Sequence, residues 1–166
     1  MKYKIFVSGA QKELKSERLA VKELVESDAL LKEYFHVFLF EAAPAGSKPS
    51  KAVYLKGVRD CGVYIVILGD EYGKSAQDKL SATEEEFREA RKKDKYVLVY
   101  IKGKTDDTKD KRIGKLITEI KDEASGYKYH RFENIPELKN AVHESLIEFL
   151  REKGIVGKSI FDEAVC

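Results

Sequence analysis

Two runs in the middle of the chain, VYIVIL at 63–68 and YVLVYI at 96–101, contain no charged side chain at all. A strand with one face in water alternates apolar and polar residues, so an unbroken apolar run this short calls for cover on both faces. A parallel sheet with helices packed on each side meets that condition. Neither run approaches the roughly 20 apolar residues that a membrane-spanning helix needs.

Three further runs fit the same sheet. YKIFV (3–7) and HVFLF (36–40) are rich in β-branched and aromatic residues, and YKYHRFE (127–133) alternates, as suits an exposed edge strand. Helical periods lie between them. Leu14, Val21, Leu24 and Val25 form one apolar stripe; Val53, Gly57, Val58 and Cys61 form another, started by Ser50 after Pro49. Phe87 and Ala90 mark a third, and Ile113, Leu116, Ile117, Ile120 and Ala124 a fourth. The fifth runs from Leu138 to Leu150, with Asn134 as N-cap, Glu137 at the third position, Pro136 in the first turn and Gly154 as its stop. Strands and helices in strict alternation, with short connections, predict a doubly wound α/β sandwich of five parallel strands in order 2-1-3-4-5. The domain is expected over 1–154. The tail 155–166 has no clear period and reads as a terminal flap or the start of a following domain.

The 31 basic and 29 acidic residues leave a formal charge of +2, which gives no electrostatic case for nucleic acid or an anionic membrane. No signal-peptide core opens the chain. Cys61 and Cys166 have no metal-ligand or redox spacing, so a reduced cytoplasmic setting is the default expectation. His36, His130 and His143 are too widely spread to suggest a metal site. The basic stretches 91–95 and 102–112 are interrupted by acids and read as solvated surface.

Ligands of such a sheet bind at the carboxyl ends of the strands, near the point where strand order reverses. Those ends are Ser8-Gly9, Glu41, Gly69-Asp70-Glu71 and Lys102-Gly103. Phosphate-loop, dinucleotide and nucleophile-elbow motifs are all missing. A phosphoreceiver would need an acidic pair after the first strand, where Ser8-Gly9 stands. The loop 69–79 has the length of a lid or of a plain connection.

The stretch LSATEEEFREARKK (80–93) admits two readings. Ser81 with Glu84, or Thr83 with Glu86, fits a capping box, and acids in a first turn complement the helix dipole. By spacing, however, Thr83, Glu86, Phe87 and Ala90 share one face. Burial of Phe87 and Ala90 then turns Glu86 toward the strand ends and Glu85 outward. A carboxylate at a helix N-terminus is expected to stay ionised at neutral pH, ready to attack an anomeric carbon or stabilise an oxocarbenium-like centre.

KIFVSGAQKELKSERLAV, VRDCGVYIVILGDEYG and SATEEEFREARKKDKYVLVYI together resemble the prokaryotic domain of unknown function numbered four thousand and sixty-two. The matching positions are Leu14, Lys15, Glu17 and Arg18; Leu68, Gly69, Tyr72 and Gly73; and Ser81, Thr83 and Glu86. That family resembles two groups with a flavodoxin-like three-layer sandwich. In the nucleoside 2-deoxyribosyltransferases a Gly-Thr-x-x-Glu-x-x-x-Ala motif carries the nucleophile. Thr83, Glu86 and Ala90 match it, with Ala82 in place of the glycine. In the TIR domains, some of which cleave NAD, a glutamate lies on the corresponding helix; here the usual Trp-Cys is absent and the Ser-to-Glu interval is one residue shorter.

These resemblances imply Glu86 as the catalytic residue, Ser8 and Gly9 against a ribose or phosphate, and Asp70 or Tyr72 against the sugar or base. Gly69, Ser81 and Thr83 complete the ligand-binding set. NAD or a nucleoside or nucleotide is the implied ligand, with no cofactor required. Arg18 reads as a brace to Glu17 or a neighbouring acid. Two functions remain open. One is a TIR-like signalling module that binds a nucleotide-like ligand or a partner protein, as the N-terminal domain of a larger regulator. The other is an enzyme that breaks or transfers an N-glycosidic bond through Glu86. A homo-oligomer is compatible with either. The sequence favours the module, because no second catalytic carboxylate is fixed by its motifs.

Overall fold

The computed structural model describes residues 2–42, 44–75 and 79–157. Five parallel strands, β1 (Tyr3–Ser8), β2 (Phe35–Phe38), β3 (Val63–Leu68), β4 (Tyr96–Lys102) and β5 (Tyr129–Phe132), lie in the order β2-β1-β3-β4-β5. This is the expected flavodoxin-like order, with β1 and β3 side by side where the winding reverses. Six helices surround the sheet: α1 (Lys15–Ser27), α2 (Leu31–Tyr34), α3 (Ser50–Asp60), α4 (Ala82–Lys92), α5 (Lys111–Ile120) and α6 (Ile135–Glu152). Among the described residues no helix is long and apolar enough to cross a membrane.

The two-residue period of a strand sorts the sheet's side chains into two cores. Ile5, Val7, Val63, Ile65 and Ile67 face α1, α2 and α6, meeting Val21, Val25, Leu31 and Phe149. Phe6, Tyr64, Val66 and Leu68 face α3, α4 and α5, meeting Val58, Phe87, Ala90 and Ile117. All six residues of β3 are buried, as its unbroken apolar run requires. In β4 only Val99, Tyr100 and Ile101 are buried. β5 pairs with Val99–Lys102 and stops, which leaves Tyr96, Val97 and Leu98 half-buried.

Three local expectations are corrected. The second strand ends at Phe38, not at residue 40, because the chain turns through a 3₁₀ segment at Phe40–Ala42. That turn packs Phe40 edge-on against Tyr54 and delivers Glu41 to Arg18, so tertiary contacts override strand propensity. The short α2 is an addition to the five helices expected; Asp28 Oδ1 accepts from the backbone N–H groups of Leu30 and Leu31 and so starts it. Ser50 does not cap α3 but is its first residue, with Pro49 at the cap position. α5 ends at Ile120, so Ala124 lies in the turn beyond it. The α6 start matches its expected signals: Asn134 Oδ1 accepts from Glu137 N–H at 2.9 Å. Residues 76–78 of the candidate lid, most of the tail, and Cys166 lie outside the described residues.

Candidate active site

Ser8 is the last residue of β1 and, by the strand period, points to the same face as Phe6. That face is covered by α4, where Glu86 stands beside Phe87 and one turn before Ala90. The two polar side chains meet: Ser8 Oγ donates to Glu86 Oε1 at 2.8 Å. Both are buried, Ser8 at 1% and Glu86 at 6% exposure. The inward turn of Glu86 read from spacing is therefore what the fold produces. Glu85 points away instead, where it accepts from Tyr54 Oη and pairs with Lys51.

The expectation that Glu86 stays ionised at neutral pH is corrected. Burial raises its pKa from the ordinary 4.5 to about 8. The Ser8 hydrogen bond and the Arg18 charge oppose this rise, while the charges of Glu41 and Glu85 add to it. The dipole argument fails for a positional reason. Glu86 is the fifth residue of α4, beyond the unpaired amides of the first turn, so desolvation outweighs the helix end. Tyr64 lies fully buried on the same face, and its titration is pushed well above the usual tyrosine range, first by burial and then by Glu86.

Of the two capping boxes open in the sequence, the Ser81 one forms. Ser81 Oγ accepts from Glu84 N–H at 3.2 Å, and Thr83 lies inside the helix. The return half of the box has a tyrosine inserted in it. Ser81 N–H donates to Tyr72 Oη at 3.3 Å, and Tyr72 Oη donates to Glu84 Oε1 at 2.7 Å. The loop after β3 is thereby tied to the start of α4. Arg88 continues the chain of contacts, bonding both Glu84 and Glu119 on α5.

Arg18 does act as a brace, but its acid is Glu41, at 2.5 Å, and not Glu17. Glu17 is taken by Lys102 at 2.8 Å. Arg18 is only 2% exposed, and its Nε–H has no acceptor among the described residues. Leaving such a donor unsatisfied costs about 1–3 kcal/mol. Gly9 makes room for it: a Cβ there would lie 3.3 Å from Arg18 Cδ and 3.2 Å from the Ile67 carbonyl oxygen.

These groups border a cavity of about 660 Å³ at the carboxyl ends of β1 and β3. Of the residues expected there, Ser8, Gly9, Asp70 and Tyr72 line it from the strand ends, and Ser81, Thr83 and Glu86 from α4. Gly69 does not. It lies under Glu13, whose carboxylate accepts from the backbone N–H groups of Asp70 and Glu71 at 2.7 and 2.9 Å. A Cβ on Gly69 would be 2.6 Å from that carboxylate, so glycine is needed for the approach. Asp70 is exposed at the rim, bonded weakly by Thr108 at 3.4 Å and approached by Lys109.

Several lining residues escaped the sequence reading. Phe40 and Tyr54 form an aromatic wall, with ring centroids 5.9 Å apart. The Tyr54 hydroxyl is pushed up to about 12, by burial and then by Glu85. On the opposite side Arg112 lies 4.2 Å over the Tyr72 ring and pairs with Asp110. Phe40 reads as the last residue of the second strand, which hides its place in the turn; Arg112 and Tyr54 sit on helices whose approach no local pattern specifies. Among the described residues no group of three His, Cys, Asp or Glu is placed to hold a metal.

A family model described as Domain of unknown function (DUF4062) matches residues 4–147, nearly the whole α/β unit. The chain belongs to that family. The resemblance read from the Leu14–Arg18, Leu68–Gly73 and Ser81–Glu86 motifs thus holds for this DUF4062 domain. No curated protein sequence matches it. Among solved structures its fold is similar to that of Clostridium botulinum CMP N-glycosidase, BcmB, with a TM-score of 0.52 and 15% identity over 86% of this chain and 98% of that one. At that identity the likeness shows a shared fold.

Proposed function

We propose that this domain takes a nucleotide-like N-glycoside into its cavity and cleaves the bond between sugar and base. The single observation that carries this reading is the Glu86 carboxylate, buried at the base of the cavity with one oxygen held by Ser8. A carboxylate placed where the strand ends open is the group that an anomeric carbon would meet first. The fold shared with a CMP N-glycosidase supports the same reading.

In its ionised form Glu86 attacks the anomeric carbon. The electron pair of the N-glycosidic bond leaves with the base, which takes a proton from water. A second water then hydrolyses the glycosyl ester, releasing the sugar and regenerating the carboxylate. The aromatic wall of Phe40 and Tyr54 supplies a surface for the base, since stacked or edge-on rings favour flat ligands.

The reading favoured by the sequence, a binding and signalling module, keeps one observation in its support. With a pKa near 8, Glu86 is mostly neutral at pH 7 and suited to donating a hydrogen bond to a bound ligand. Chromatography of released base separates the two. The purified domain is incubated with CMP, NAD and a panel of deoxynucleosides. Base release from any of them supports the enzyme; saturable binding without release supports the module.

A further inference from the structure

We infer that Arg18 recognises the 2-hydroxyl of a ribosyl ligand, so that the site selects ribonucleotides over their 2-deoxy counterparts. This rests on the reading above that the cavity accepts an N-glycoside.

Arg18 lines the cavity beside Glu86, is nine-tenths buried, and uses one arm of its guanidinium on Glu41. Its Nε–H has no acceptor among the described residues. Guanidinium donors are fixed in one plane, so with one arm held by Glu41 the part of the guanidinium that lines the cavity presents its N–H groups in a defined direction. The charges nearby decide what kind of atom that is. Glu41 already faces the guanidinium and Glu86 is close enough for the Arg18 charge to act on it. A phosphate would meet the Glu41 carboxylate there. A neutral hydroxyl would instead accept from Arg18 and donate to a carboxylate, using both kinds of group at once. If Glu86 faces the anomeric carbon, the hydroxyl one carbon away is the 2-hydroxyl. Gly9 keeps this space open, because any Cβ there would crowd the Arg18 side chain.

The test uses the Glu86→Gln protein, which lacks the proposed nucleophile, and calorimetric titration with the ribo and 2-deoxy forms of cytidine and adenosine 5-monophosphate. A ribo form of at least one base is expected to bind about 10- to 100-fold tighter than its deoxy partner, the discrimination that a site built around one hydroxyl provides. Adding Arg18→Met is expected to bring that ratio toward one; Arg18→Lys, which keeps the charge without the planar fork, is expected to restore it only in part. The comparison of ligands on the protein with Arg18 intact does not depend on either variant folding. Equal affinities, tighter binding of the deoxy form, or no binding of any of the four would each overturn the inference. Base release by wild-type protein separates this from the chemistry. Equal release from ribo and deoxy forms would remove the Arg18 role and keep the enzyme. Selective ribo binding without release would keep the Arg18 role and remove the enzyme.

Discussion

Ser8 Oγ donates to Glu86 Oε1 at 2.8 Å, a bond between residues 78 positions apart that fixes the end of β1 against α4. It holds one carboxyl oxygen in place and leaves the group in a site where burial, not the helix end, decides its protonation.

Replacing that serine is the first expected consequence. Ser8→Ala removes a hydrogen bond that favours the charged form of Glu86, so the Glu86 pKa should rise further. The lost bond should also destabilise the fold by about 1–2 kcal/mol. Carboxyl-carbon NMR of labelled glutamate checks the first effect, and urea unfolding the second.

Stability should depend on pH in a direction set by Glu86. Its folded pKa, about 8, lies above the ordinary 4.5, so the folded state binds the extra proton between those values. Its contribution is complete below pH 4.5 and is lost as pH rises toward 8. Glu86→Gln lacks this titration. The variant should therefore gain on wild type by about 3–5 kcal/mol between pH 4.5 and pH 9. Unfolding midpoints of both proteins across that range provide the comparison; parallel curves would mean that Glu86 titrates normally.

Rates should move the opposite way. A nucleophilic carboxylate must be ionised, so kcat/KM for base release should rise with pH and level off above about 8. A profile already flat from pH 5 would show that Glu86 carries its charge in the free protein.

Tyr72→Phe keeps the ring under Arg112 and deletes only the hydroxyl shared by Ser81 and Glu84. A cost of about 1–2 kcal/mol is expected, or a fall of several degrees in melting temperature. Scanning calorimetry measures it. An unchanged melting temperature would show that the hydroxyl does not tie the loop to α4.

The sheet was legible in the sequence wherever a residue's role depends on its immediate neighbours. VYIVIL calls for cover on both faces because it holds no charge and does not alternate, and β3 is buried throughout. The inward turn of Glu86 followed from Phe87 and Ala90, which share its face. What depends on distant elements was not legible. The Arg18–Glu41 pair forms because β2 stops at Phe38 and turns, and nothing within HVFLF signals that stop. Tyr72 enters the α4 cap from nine positions before Ser81, so a local box pattern showed Ser81 and Glu84 without it. The protonation of Glu86 was misjudged for the same reason, since the helix end is local and burial is not.

The most direct measurement is base release from a ribonucleoside monophosphate by wild type and Glu86→Gln at equal concentration, above pH 8, with both proteins shown to be folded. Release by wild type, falling at least about 1,000-fold in the variant, is the result predicted for a nucleophile whose removal eliminates the covalent step. Equal release by the two proteins, or none by either, would contradict the assignment of Glu86 as the group that breaks the bond.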